Sequence, residues 1–295
     1  MATRIVNIVP ADDRVLRALN RYHYLTAKQL CQLLYKPGSL TYVQTKLKRL
    51  ADAGYCQRLF LARASQYGST PSVYTLARRG LNHLEEQGLA PARRFRPSEQ
   101  TQRGYLFMSH TLAVNDFLIA AELLCQHIPQ VTLQAMLHEQ ILKREPVYVQ
   151  DQDGKKLPVI PDGWLDLRIN LPAGRHGGSY QVCLSIEVDR GTEEQKKWRR
   201  KVQGLLIWSR GPYQERFHTS SLTVAVVATT GSKRMGDLLR WTETELQQPG
   251  NQDADLFRFT DLSPPEVKPE DLFLNPHWYR PFGAQAMPLL EGVSQ

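Results

Sequence analysis

Cysteine is scarce in this chain: four in 295 residues, at positions 31, 56, 125 and 183. No two form a C-x-x-C pair, so the spacing argues against a zinc knuckle and offers no disulfide framework. Cys31 and Cys125 fall inside apolar helical patterns, where a buried thiol is the expected reading. No run of 18 or more apolar residues occurs, so no transmembrane helix is expected. The opening MATRIVNIVPADDRV lacks the apolar stretch and small-residue cleavage site of a signal peptide, and the expected location is the cytoplasm. A phosphate-cradling Gly-rich loop, a metal-ligand His pair and a supported Ser/His/Asp arrangement are also missing, which leaves NTPases and small-molecule hydrolases with little support.

The remaining composition is that of a folded chain long enough for two domains, 42% hydrophobic and 22% charged. Its net charge of +8 is unevenly spread. Residues 1–105 carry 17 Lys and Arg against 6 Asp and Glu, and the rest carries 20 against 23. A basic first third points to a polyanionic partner, with double-stranded DNA the expected one.

The pattern of that first third is helical. Val15, Leu16 and Leu19 mark one helix, and Thr26 caps a second that carries Leu30, Leu33 and Leu34. After KPGS, a third helix sets Val43, Leu47 and Leu50 on its core stripe. Thr41, Gln44, Thr45, Lys48 and Arg49 then lie toward the opposite side, and Gly54 stops the helix. YCQRLFLA and SVYTLA, around SQYGSTP, read as a hairpin, and GLNHLEEQG as a closing helix. Such a third helix fits the major groove, with Arg58, Arg63, Arg78 and Arg79 as candidate phosphate contacts. The region resembles the winged helix-turn-helix domains of bacterial DNA-binding proteins.

The expected organisation is a winged helix over residues 1–90, a Pro- and Arg-rich linker over 91–106, and an α/β domain over 107–295. The α/β domain starts with a long helix in FMSHTLAVNDFLIAAELLCQHIP, followed by a strand near 132–142. GWLDLRI and YQVCLSIEVD read as strands, EEQKKWRRKVQGLLIW as a helix, and SLTVAVVAT as a strand covered on both faces. SKRMGDLLRWTETELQ and DLFRFTDL supply a last helix and strand, completing a mixed-sheet α/β fold, α+β overall.

Asp162 stands at the mouth of one strand, and Glu187 and Asp189 near the end of the next. Residues i and i+2 share a strand face, so the three carboxylates come within reach if the strands are neighbours. Such a set suits Mg²⁺, with Mn²⁺ as substitute, and phosphodiester hydrolysis. Pro161-Asp162 and Glu187-Val188-Asp189 resemble the motif of the PD-(D/E)xK, restriction-endonuclease-like nucleases, with Asp189 where the lysine belongs. The resemblance implies Asp162 and Glu187 as metal ligands and Asp189 as an assisting group. It implies a lysine from the following helix, with Lys201 the candidate and Lys197 the second. SHTLAVNDF, IPDGWLDL and IEVDRGTEEQKKWRRKV are also similar to the replication-relaxation family of plasmid and mobile-element proteins. This implies a role in replication or relaxation, with partner proteins of a mobile element, no membrane and a homodimer as expectations. Two readings stay open: a metal-dependent deoxyribonuclease, and a non-catalytic DNA-binding regulator or assembly factor.

Overall fold

The computed structural model describes residues 7–60, 71–90, 104–151, 153–171 and 178–293. The chain divides into two compact units, Met1–Ile119 and Ala120–Gln295. In the first, α1 (Pro10–Tyr22), α2 (Ala27–Leu34) and α3 (Leu40–Asp52) precede β2 (Cys56–Phe60), β3 (Ser72–Leu76) and α4 (Arg78–Glu86). A two-residue strand, β1 (Leu25–Thr26), completes an antiparallel sheet of order β1-β3-β2.

Local chemistry explains the boundaries. Thr26 caps α2 reciprocally with Gln29: the Gln29 N–H donates to Thr26 Oγ1 (3.1 Å), and the Thr26 N–H donates to Gln29 Oε1 (2.9 Å). Gly54 ends α3 at φ +77°, a conformation that costs other residues strain. Val43, Leu47 and Leu50 of α3 are fully buried, as are Val15, Leu16 and Leu19 of α1 or nearly so. The long helix α5 (Tyr105–His127) begins in this unit. Its Met108 and Leu112 pack with Tyr24, Leu59 and Val73, and Asn115 Nδ2 donates to the carbonyls of Tyr22 and Tyr24. By length and hydropathy alone α5 could cross a membrane, and half of its apolar stretch is buried inside the protein.

The second unit holds a five-stranded mixed sheet of order β10-β9-β8-β7-β4. β7 (Gly163–Asn170) runs antiparallel to both β4 (Val131–His138) and β8 (Ser179–Asp189), while β8, β9 (Thr223–Ala228) and β10 (Phe257–Thr260) are parallel to one another. Every residue of β8 from Cys183 to Asp189 is buried, as is all of β9 after Thr223, so this part of the sheet is covered on both faces. On one face Trp164, Cys183, Val224 and Val226 meet Trp198, Val202, Leu205 and Trp208 of α7 (Gln195–Ser209). α9 (Ser232–Leu246) packs beside α7, where the Trp198 indole N–H donates to Thr242 Oγ1 (3.0 Å). Two short helices, α8 (Pro212–Phe217) and α10 (Pro269–Leu274), follow α7 and β10 respectively.

Two segments depart from the sequence expectation. The strand expected near 132–142 ends at His138, and Glu139–Leu142 form a single helical turn, α6. The Glu139 N–H still donates to the Asp162 carbonyl (3.0 Å), the next residue in the β4–β7 register, but the His138 ring accepts the Gln140 N–H (3.2 Å) and caps the turn that ends the strand. The second departure is an additional antiparallel hairpin, β5 (Val147–Gln150) and β6 (Lys156–Val159), packed against α7. Its inward Val149, Leu157 and Val159 join the α7 core.

Candidate functional site

The β7–β8 register ends with Gly163 against Ile186, and Asp162 stands just before it, in the bend that leads into β7. Along β8, Glu187 and Asp189 share one face by the two-residue period. Asp162 donates its N–H to the Ile186 carbonyl (3.0 Å), while its Oδ2 accepts the Val188 N–H (2.8 Å). Both carboxylates are buried near the carboxyl end of β8, 7% and 2% exposed.

Lys201 of α7 reaches this pair. Its Nζ lies 2.8 Å from Glu187 Oε2 and 5.9 Å from the centroid of the Trp198 ring. Burial pushes its ammonium down, but Glu187 and Asp162 outweigh that and hold it well above the ordinary lysine value. Its side chain as a whole is one-third exposed, while the ammonium itself is turned inward to Glu187. Lys197, one turn earlier, is exposed and 3.5 Å from Glu194. The lysine that meets the carboxylates is therefore Lys201.

Asp189 belongs to a different constellation. Arg234 at the start of α9 clasps it with two bonds, of 2.7 and 2.9 Å, and the Gly191 and Glu193 N–H groups donate to it at 2.7 and 3.3 Å. Burial raises its pKa, and Arg234 with these N–H groups more than reverses the effect, holding the carboxylate below its ordinary value. The side chain closes the turn that leads from β8 into α7. That helix starts from Glu194 as N-cap.

Beside the pair, the β5–β6 hairpin and α7 enclose a cleft of about 300 Å³. Glu187 and Lys201 line its inner end, with Lys156, Lys197 and Arg200 adding positive charge around it. The hairpin had no counterpart in the sequence reading, although Val147-Tyr148-Val149 carries the alternation of a short strand.

In the N-terminal unit, Thr41, Gln44, Thr45 and Lys48 are exposed along one side of α3. Arg49 is turned partly away, ion-paired with the fully buried Asp12, which also binds the buried Lys46. Lys46 was readable from sequence: it interrupts the Val43–Leu47–Leu50 stripe, a position where a charge needs a buried partner. Arg58 is exposed, bonded to Ser72 Oγ (2.8 Å) and lying over the exposed Phe60 ring. Arg79 is spent on the Ala53 carbonyl (2.7 Å) and the Tyr55 ring, whereas Arg78 is exposed. Arg63 and the hairpin tip lie outside the described residues.

A family model described as replication-relaxation matches residues 16–244, a span that includes α2, α3, both carboxylates and Lys201. No curated protein and no solved structure matches the chain significantly.

Proposed function

The chain belongs to the replication-relaxation family, which ties it to replication of plasmids or other mobile elements; from that premise we propose that it binds duplex DNA and hydrolyses a phosphodiester bond. The observation that carries the proposal is the convergence of Asp162 and Glu187 on the ammonium of Lys201, beside a cleft that Lys197 and Arg200 also line. We read the N-terminal unit as a winged helix. Thr41, Gln44, Thr45 and Lys48 would face the groove, with Arg58 on the backbone.

The donor set suits a hard divalent cation: Mg²⁺ is held by one or two carboxylates and keeps several waters. Asp162 and Glu187 would hold it. Bound there, it would supply Lewis acidity and a water of lowered pKa. The protein's own groups have distinct tasks. Lys201 stays protonated, so it is no general base; it offers positive charge to an oxygen on which negative charge develops. The Val188 N–H holds the Asp162 carboxylate in place. Lys197, exposed at the cleft, would attract the phosphate backbone.

The non-catalytic reading also has an observation in its favour. The motif's lysine position is held by Asp189, which Arg234 occupies, and the described residues contain no group of three His, Cys, Asp or Glu suited to a metal. Mn²⁺ titration followed by electron paramagnetic resonance separates the two readings. Binding that is lost in Asp162→Asn and in Glu187→Gln supports hydrolysis. Binding that is absent, or unaltered by both changes, favours the regulator.

A further inference from the structure

We infer that the cleft between the β5–β6 hairpin and α7 takes a single unpaired nucleotide, so that the C-terminal unit engages single-stranded or locally opened DNA. The phosphate's fate rests on the hydrolytic reading above; the fit of the nucleotide rests on the cleft itself.

Size is the first argument. At about 300 Å³ the cleft sits at the low end of ligand pockets. A duplex, whose major groove alone is roughly 12 Å across, has no way into such a volume. One base with its sugar and phosphate is of the right scale, as in enzymes that take a nucleotide out of the stack.

The lining is the second. Pro158, Ile160 and Leu205 offer apolar surface for a base, while Lys156, Lys197 and Arg200 offer charge for the phosphate on either side. An apolar metabolite would not need the three cations, and a free phosphate would not need the apolar wall.

Gly204 is the third. It lies on the cleft side of α7, in the middle of a helix, where glycine is a poor choice. Packing does not demand it: a Cβ there would meet only Val159 Cγ2, at an ordinary 3.5 Å. Its missing side chain is cleft volume. Tyr148 adds a fourth observation. It stands directly opposite the cleft-lining Pro158 in the hairpin register, on the face turned away from α7, and is 58% exposed, an aromatic on which a base next to the one in the cleft can stack. Bases stack on such platforms without regard to sequence.

The test is fluorescence anisotropy of the full chain with a short labelled oligothymidylate and, separately, with a labelled hairpin duplex, both in EDTA. Arg200→Ala and Tyr148→Ala remove exposed side chains, and Gly204→Ala fills the cleft while favouring the helix. Each should weaken oligothymidylate binding about tenfold and leave duplex affinity within about twofold. Oligothymidylate affinity unchanged in all three variants, or duplex affinity falling in parallel, overturns the inference. Because the readout is binding without metal, a chain that never cuts DNA but shows this pattern refutes only the hydrolytic reading.

Discussion

Replacing Asp12 by alanine strips a buried lysine of its counterion. Asp12 is fully buried, Lys46 is 6% exposed, and both belong to the packing beneath α3. Breaking a buried pair from one side costs about 3–5 kcal/mol, because the remaining charge stays desolvated. Arg49, the second partner, is 41% exposed and can turn to water, so it adds little to that figure. A loss of this size is a large part of a domain's stability of about 5–15 kcal/mol. Asp12→Leu combined with Lys46→Met removes both charges and should recover most of the loss.

The measurement is denaturant unfolding of the full chain, read in two ways. All five tryptophans lie at or beyond residue 164, so their fluorescence follows the C-terminal unit alone, while far-ultraviolet circular dichroism follows both. Asp12→Ala should shift the dichroism transition to lower denaturant and leave the fluorescence transition in place. Acid adds a check. Burial raises the Asp12 pKa, but Arg49, Lys46 and the Val9 N–H outweigh it and hold it below its ordinary value. A depressed carboxylate contributes its stability above the unfolded pKa of about 3.8 and loses it as pH falls through the lower folded value. The parent should show that acid step in the N-terminal unit, and the double variant should lack it. An unmoved dichroism transition in Asp12→Ala, or a double variant as weak as the single, would refute the reasoning.

Three other substitutions test separate parts of the account. Burial pushes the Asp116 carboxyl up to about 6, despite its bond to Gln29 (2.8 Å). An acid raised on folding costs stability as pH rises from about 4 to 6, so Asp116→Asn should stabilise the N-terminal unit at pH 8, by up to about 3 kcal/mol, and much less at pH 4; equal effects at both pH values would count against it. Lys48→Ala should weaken duplex affinity and reduce the salt slope by about one, while Arg49→Ala, already paired with Asp12, should change that slope less; the reverse ranking would move phosphate contact to Arg49. Arg234→Ala should destabilise the C-terminal unit by about 2–4 kcal/mol in tryptophan fluorescence, since Asp189 keeps two backbone donors but loses its charge partner. Mn²⁺ affinity altered as strongly in that variant as in Glu187→Gln would place Asp189 in the site after all.

What could be read from the sequence was whatever periodicity states locally. The apolar runs of β8 and β9 announce strands covered on both faces, and the Val43–Leu47–Leu50 spacing announces the buried side of α3. Asp162 and Glu187 could be named because both stand at strand ends, yet only the tertiary structure shows that both act on Lys201. The choice between Lys197 and Lys201 was illegible for a similar reason: they lie one helical turn apart on nearly the same side, and only the start of α7 relative to β8 decides which one reaches Glu187. The partner of Asp189 lies 45 residues onward in α9, a distance no local pattern spans. The β5–β6 hairpin escaped because its strands are four residues each and the second contains Pro158, which reads against a strand.

The central claim is that Asp162, Glu187 and Lys201 form a metal-dependent site acting on DNA. Supercoiled plasmid incubated with the purified chain, in Mg²⁺, Mn²⁺ or EDTA, tests it most directly. The account predicts nicking or linearisation with either metal and none in EDTA. It also predicts loss of cutting in Glu187→Gln and Lys201→Met, while both variants still retard the plasmid on a gel. Plasmid that is retarded but intact in both metals, or cut equally by the parent and both variants, would contradict it.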